Sequence, residues 1–313
     1  MALAGAAIVS AESILALTPI AIKKTRLHPI DAIWSRVLSS AAIGYGVASD
    51  RGLAAAERGP AAALGYANLL HVASSYESFR NLPAGAAMAL LYTYPLWNLV
   101  FGAIFGGETI DREEYVGIGV AAAGSALLST DVGDAAESGI GRKPRWGWGV
   151  AMGLLMAMTE SAMHTILKGL RWMDAAKSVW VVNSSASLWL GLAVVIQWLL
   201  GDGKVAATQI SGAATWVDAF WLTVFHALTM FSGYWLRFFA VPRLTTVSYS
   251  ILSYAGLFAS YLFGLLFLGE RPGWISLIGA GLIVAGGAII QIAGSGLAEM
   301  EREEKAGMGT DDS

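Results

Sequence analysis

The chain has 313 residues, 56% hydrophobic and only 14% charged, with a net charge of −3 and no cysteine. Its mean hydropathy is +0.58. Soluble domains carry about 25% charged residues, so this composition excludes an ordinary soluble globule. The charge leaves no nucleic-acid footprint, and the missing cysteines exclude disulfides, thiolate metal sites and cysteine nucleophiles.

Ten apolar segments follow one another, at 3–22, 30–50, 60–80, 83–106, 112–130, 147–169, 177–200, 215–239, 244–268 and 273–295. Each is about long enough to cross a bilayer as a helix. The first has no basic leader and is followed by KKTR at 23–26, so it reads as a membrane helix rather than a cleaved signal. Most connections are short and carry Gly, Pro and charge. The longest, 131–146, joins two halves, and 297–313 is a polar tail expected to fray. The expected fold is therefore all-α and integral to a membrane, with ten transmembrane helices.

The two halves share a phrase. Residues 90–128 and 252–290 align without a gap over 39 positions at an offset of 162, with twelve identities. Among these are Tyr92/Tyr254, Gly107/Gly269, Glu108/Glu270, Gly117/Gly279 and Gly124/Gly286. Five helices per half is an odd number, so the second half enters the membrane from the opposite side. That is the inverted repeat common among secondary transporters. The predicted units are 1–130, the connection 131–146, the second repeat 147–296 and the tail 297–313. Lys and Arg divide about evenly between the two sides, so the positive-inside rule does not orient the chain.

The stretch YPLWNLVFGAIFGGETI, with Pro95 thirteen residues before Glu108, resembles the fourth helix of the drug/metabolite transporter superfamily, in its ten-helix EamA-like branch. LFASYLFGLLFLGERPGWISLIGAGLIVAGG resembles that family's ninth and tenth helices, departing at Leu257, where proline is usual. Arg36, in IDAIWSRVLSSAA, looks like the arginine opening its second helix. The resemblance implies ten helices with both termini cytoplasmic. It also implies a central cavity lined by the first, third and fourth helices of each half, and transport of small polar metabolites. A plasma or inner membrane is expected, with an organelle membrane as the alternative and a homodimer compatible with either.

An ionisable residue at mid-membrane faces a cavity or a partner. Glu12 (AES) and Glu160 (TES) lie near the middle of the first helix of each half, at an offset of 148. They form a candidate acidic pair for protons or a cationic group; the competing reading has each satisfying a neighbouring basic or backbone group. Glu160, His164 and Lys168 share one helical stripe, suited to a proton relay or an anion-binding wall, unless Lys168 merely snorkels to the interface. Asn68, His71 and Ser75 form a polar stripe on the third segment, and His226, Thr229 and Gly233 repeat the spacing on the eighth. Such faces line water or glue helices together. Tyr92, Tyr254 and Asn98 are placed to orient a polar substrate. Glu108 and Glu270 read as structural caps for the helix that follows each. Gly117 and Gly124, with Gly279 and Gly286, read as helix-packing faces. Trp146, Trp148, Trp216 and Trp274 read as an interfacial belt.

A secondary transporter working by alternating access fits best, moving an amino acid, an amine or a similar solute, coupled to protons or to exchange. A sugar-phosphate or nucleotide-sugar antiporter is the runner-up, although 244–268 holds no Lys or Arg for a phosphate clamp. An uncoupled channel is the alternative of another class. HExxH and GxSxG are missing and only four histidines exist, so no enzyme, metal or cofactor is expected.

Overall fold

Apolar runs of this length satisfy their own backbone groups in lipid only as helices, and helix dominates the chain. The computed structural model describes residues 2–50, 52–106, 110–130, 145–168, 173–201, 213–240, 243–244, 249 and 252–308. The helices are α1 (Ala2–Leu15), α2 (Thr18–Lys24), α3 (Pro29–Val47), α4 (Ala55–Asn81), α5 (Ala84–Leu91), α6 (Tyr94–Gly106), α7 (Arg112–Thr130), α8 (Trp146–Lys168), α9 (Ala175–Leu200), α10 (Ala213–Ala240), α11 (Ala255–Phe263) and α12 (Trp274–Met308). A π-turn, Gly264–Leu268, follows α11, and no strand occurs among the described residues. Among the described residues, five stretches are long and apolar enough to span a membrane: Ala2–Lys24, Ala84–Ile104, Trp146–Leu167, Ala175–Leu200 and Trp274–Ala293.

Three predicted helices are broken, and proline explains two of the breaks. Pro19 enters the first turn of α2. It has no N–H to give to the carbonyl four residues back, so the first segment divides at Ala16–Leu17. Pro95 does the same to the fourth segment, which divides at Tyr92–Thr93. The ninth interrupts at the repeat-equivalent Tyr254 without any proline, Leu257 standing in its place. The tail departs from expectation in the other direction: α12 runs on to Met308. Its Glu, Met, Arg and Lys residues are strong helix formers, and polarity alone does not end a helix.

Packing pairs α1 with α10, α3 with α9, α4 with α8, α4 with α9, α3 with α10 and α7 with α12. The last contact is reciprocal. A Cβ on Gly117 would lie 2.8 Å from the Gly286 carbonyl oxygen, and one on Gly286 2.5 Å from that of Gly117. Gly124 and Gly279 meet in the same way, at 2.6 and 2.8 Å. Small residues thus let two backbones touch, as the glycine spacing predicts. Gly286→Ala should therefore destabilise the protein by about 1–3 kcal/mol, whereas Gly281→Ala, whose Cβ meets nothing within 4 Å, should be neutral or stabilising. Melting temperatures in one detergent check the contrast; equal melting would mean that α7 and α12 do not rely on this contact.

Large apolar side chains are exposed outward, including Phe220, Trp221, Leu228, Leu266 and Ile278. Trp148, Trp216 and Trp274 are exposed with them. An outer face of this kind suits lipid and not water.

Candidate functional site

Where α1, α3, α4, α8 and α10 converge, the chain buries four formal charges. Glu12 and Glu160 are each 1% exposed, Arg36 4% and Arg237 6%. Arg237 bridges the two acids. Its Nε and Nη2 lie 2.8 Å from Glu12 Oε1, and its Nη1 donates to Glu160 Oε1 at 2.5 Å. A guanidinium suits this position because its planar fork presents donors in two directions. Tyr92 closes the triad from behind, its hydroxyl 3.0 Å from Glu12 Oε2 and 2.7 Å from the Ser253 carbonyl. Arg36 donates to the Tyr234 hydroxyl at 3.0 Å, and both guanidiniums lie 5.9 Å from the centre of the Tyr234 ring.

These groups wall a small cavity with a volume of about 40 Å³, lined by Glu12, Arg36, His71, Ser75, Glu160, Tyr234 and Arg237 among polar residues and by Met88, Met156 and Met230 among apolar ones. That is room for about three waters. Of the residues singled out in the sequence, Glu12, Arg36, His71, Ser75 and Glu160 face this space. His71 Nδ1 donates to the Met156 carbonyl at 3.1 Å and lies 3.5 Å from Glu160 Oε2. His164 is half-buried, 3.8 Å from Glu160 Oε1, between the rings of Tyr94 and Tyr249.

The remaining predicted positions lie elsewhere. His226 is enclosed between Ser35 (3.0 Å from Nδ1) and the Tyr76 hydroxyl (3.1 Å from Nε2). Because the Tyr76 hydroxyl also donates to the Ala32 carbonyl, both ring nitrogens of a neutral imidazole are satisfied there. The predicted stripe His226–Thr229–Gly233 therefore does not face the cavity. Thr229 bonds its own helix at the Phe225 carbonyl, and Gly233 packs on Leu15. The face one position on, Met230–Tyr234–Arg237, lines the space instead. Asn98 accepts from Ser161 Oγ at 2.6 Å and ties α6 to α8. Asn68 is buried in α4, away from the cavity wall. The Tyr254 ring lies 5.4 Å from that of Tyr92, and its hydroxyl packs on Gly287. Lys168 is the last residue of α8. Glu108 falls outside the described residues.

Glu270 corrects the expected cap. It does not reach the start of α12. Gly269, at φ +69°, turns the chain in the left-handed conformation that glycine tolerates, and the Glu270 carboxylate goes inward. Its Oε2 accepts from the Ala84 amide at 2.7 Å, at the N-terminus of α5, and its Oε1 pairs with Lys23. The carboxylate still satisfies a helix N-terminus, but of a helix 186 residues earlier in the chain. At α7 Glu114 reaches back to the residue before the helix, its Oε2 accepting from the Asp111 amide at 3.0 Å.

No group of three or more His, Asp or Glu spaced for a metal ion occurs among the described residues.

The apolar helices, the outward lipid-like face and the buried polar centre define an integral, multi-pass membrane protein. Residues 3–130 match the EamA-like transporter family, consistent with the drug/metabolite transporter superfamily. The resemblance read from the Pro95–Glu108 phrase is borne out, and the family points to a membrane transporter rather than an enzyme. A solved crystal structure is similar over 94% of this chain and 97% of its own, with a TM-score of 0.56 and 16% sequence identity, a likeness of fold alone. No curated protein matches the chain.

Proposed function

We propose that the protein is a secondary transporter that moves a small polar metabolite, such as an amino acid or an amine, by alternating access. The observation that carries this reading is the triad: acids from α1 and α8, the first helices of the two sequence halves, meet on one guanidinium at one small cavity. In this reading 1–130 and 147–296 are inverted five-helix units joined by 131–146, with both termini cytoplasmic in a plasma or inner membrane. The packing supports it. Counting broken helices as one, the contacts of the first helix with the eighth and of the third with the sixth are mates, as are those of the second with the eighth and the third with the seventh. The fifth and tenth helices touch reciprocally. The small cavity favours alternating access over an open channel, because a metabolite has no room until the helices rock apart.

Glu12 and Glu160 are the coupling groups in this reading, taking up a proton or a cationic group when Arg237 releases them. Glu12→Gln and Glu160→Gln should each lower flux in proteoliposomes by about tenfold or more, the scale of a lost charge-assisted hydrogen bond, and should flatten its dependence on an imposed proton gradient. Flux that stays pH-dependent in both variants sinks the acidic-pair assignment.

A further inference from the structure

We infer that the cavity selects a net-neutral zwitterion, with Arg36 receiving the anionic group and Glu160 the ammonium. This rests on the transporter reading and narrows its substrate class.

Arg36 is 4% exposed and lines the cavity. Its one side-chain hydrogen bond is to the neutral Tyr234 hydroxyl, and it has no carboxylate partner among the described residues. A guanidinium carries five donors, and a buried charge without a counter-charge is costly. An anion is the missing partner. Across the same space, Glu160 uses Oε1 on Arg237, while its buried Oε2 has no hydrogen-bond partner. His71 Nδ1, 3.5 Å from Oε2, directs its hydrogen to the Met156 carbonyl, which can only accept. An ammonium supplies what Oε2 lacks.

The charge balance of the walls discriminates among solutes. Glu12 and Glu160 offset Arg36 and Arg237, so the ionised walls sum to zero. A zwitterion keeps that sum while answering both unpaired groups. A simple amine leaves Arg36 unanswered and adds a buried positive charge. A phosphate dianion leaves Glu160 Oε2 bare and adds two negative charges. Each solute of the wrong class carries an uncompensated buried charge into a site with little water to screen it.

The test uses matched trios of one shape: leucine, isopentylamine and 4-methylpentanoate, with phenylalanine, phenethylamine and 3-phenylpropanoate as a larger set. Thermal shift of the purified full-length protein and uptake into proteoliposomes are read together. Wild type should be stabilised by, and should transport, a zwitterion at concentrations at least about tenfold lower than its amine or acid partner. Arg36→Gln should lose that preference and accept the amine about as well as the zwitterion, and Arg36→Lys should recover part of it. Wild-type protein needs no variant to decide the matter: if an amine or acid matches or beats its zwitterion, or if no zwitterion binds, the inference is overturned. Transport of an amine or acid without zwitterion preference leaves the transporter reading standing. Uptake no greater than in protein-free liposomes for every solute overturns both.

Discussion

Arg237→Met should be the most destabilising single change in the cavity, costing about 3–5 kcal/mol, because removing one partner from a buried ion cluster leaves the others without counter-charge. Glu12 and Glu160, each 1% exposed, would face one another across the cavity with no guanidinium between them. The loss should be repaired by removing the charges rather than by restoring the cation. The triple variant Arg237→Met, Glu12→Gln, Glu160→Gln should melt well above Arg237→Met alone in the same detergent. Arg237→Lys should recover only part of the stability, because a point charge cannot present separate donors to two carboxylates. If Arg237→Met melts within a degree of wild type, the triad does not hold α1, α8 and α10 together. Arg36→Gln is the useful contrast. Its guanidinium has no carboxylate partner among the described residues, so losing it should leave the melting temperature equal or raised.

How far these features could be read in advance depended on whether their partners were close in sequence. Apolar length placed the helices, because lipid leaves the backbone no other choice. The glycine faces of α7 and α12 were legible because the repeat prints the same spacing twice. The breaks in the first and fourth helices were signalled by Pro19 and Pro95, yet hydropathy ran straight through them. Arg237 was obscured because a charge near the end of an apolar run resembles an interfacial anchor. The signal lay in the stripe Met230–Tyr234–Arg237 and in the rule that an intramembrane arginine seeks a carboxylate. His226 left two readings open. Its stripe could either line water or glue helices together, and Ser35 and Tyr76, far away in sequence, satisfy it inside the protein. Lys23 sat in a basic run that reads as solvent-facing, and its partner lies 247 residues away.

That partner defines the second large effect. Lys23 and Glu270 are 6% and 4% exposed and form an ion pair that also carries the Ala84 amide. Three elements from distant parts of the chain are fixed at one point: the end of α2, the turn after the π-turn, and the first turn of α5. Lys23→Met strands a buried carboxylate with a single amide donor and should cost about 3–5 kcal/mol. Glu270→Gln should cost less on the helix side, since a carboxamide oxygen still accepts from Ala84, but it leaves the ammonium unpaired. The double variant should therefore lose less than the sum of the singles, with a coupling energy of about 2 kcal/mol in a double-mutant cycle. A second pair serves as control. Lys177, itself buried, also bonds Asp50, but the Asp50 side chain is 67% exposed, so water reaches that pair and Asp50→Asn should cost less than Lys23→Met. Additive losses at Lys23 and Glu270, or losses no larger than at Asp50, would mean that burial gives this pair no special hold. The neighbouring lysine sharpens the point: Lys24 is exposed one residue away, so Lys24→Met should leave the melting temperature unchanged, and the contrast between adjacent lysines isolates the buried contact from the charge of the segment as a whole.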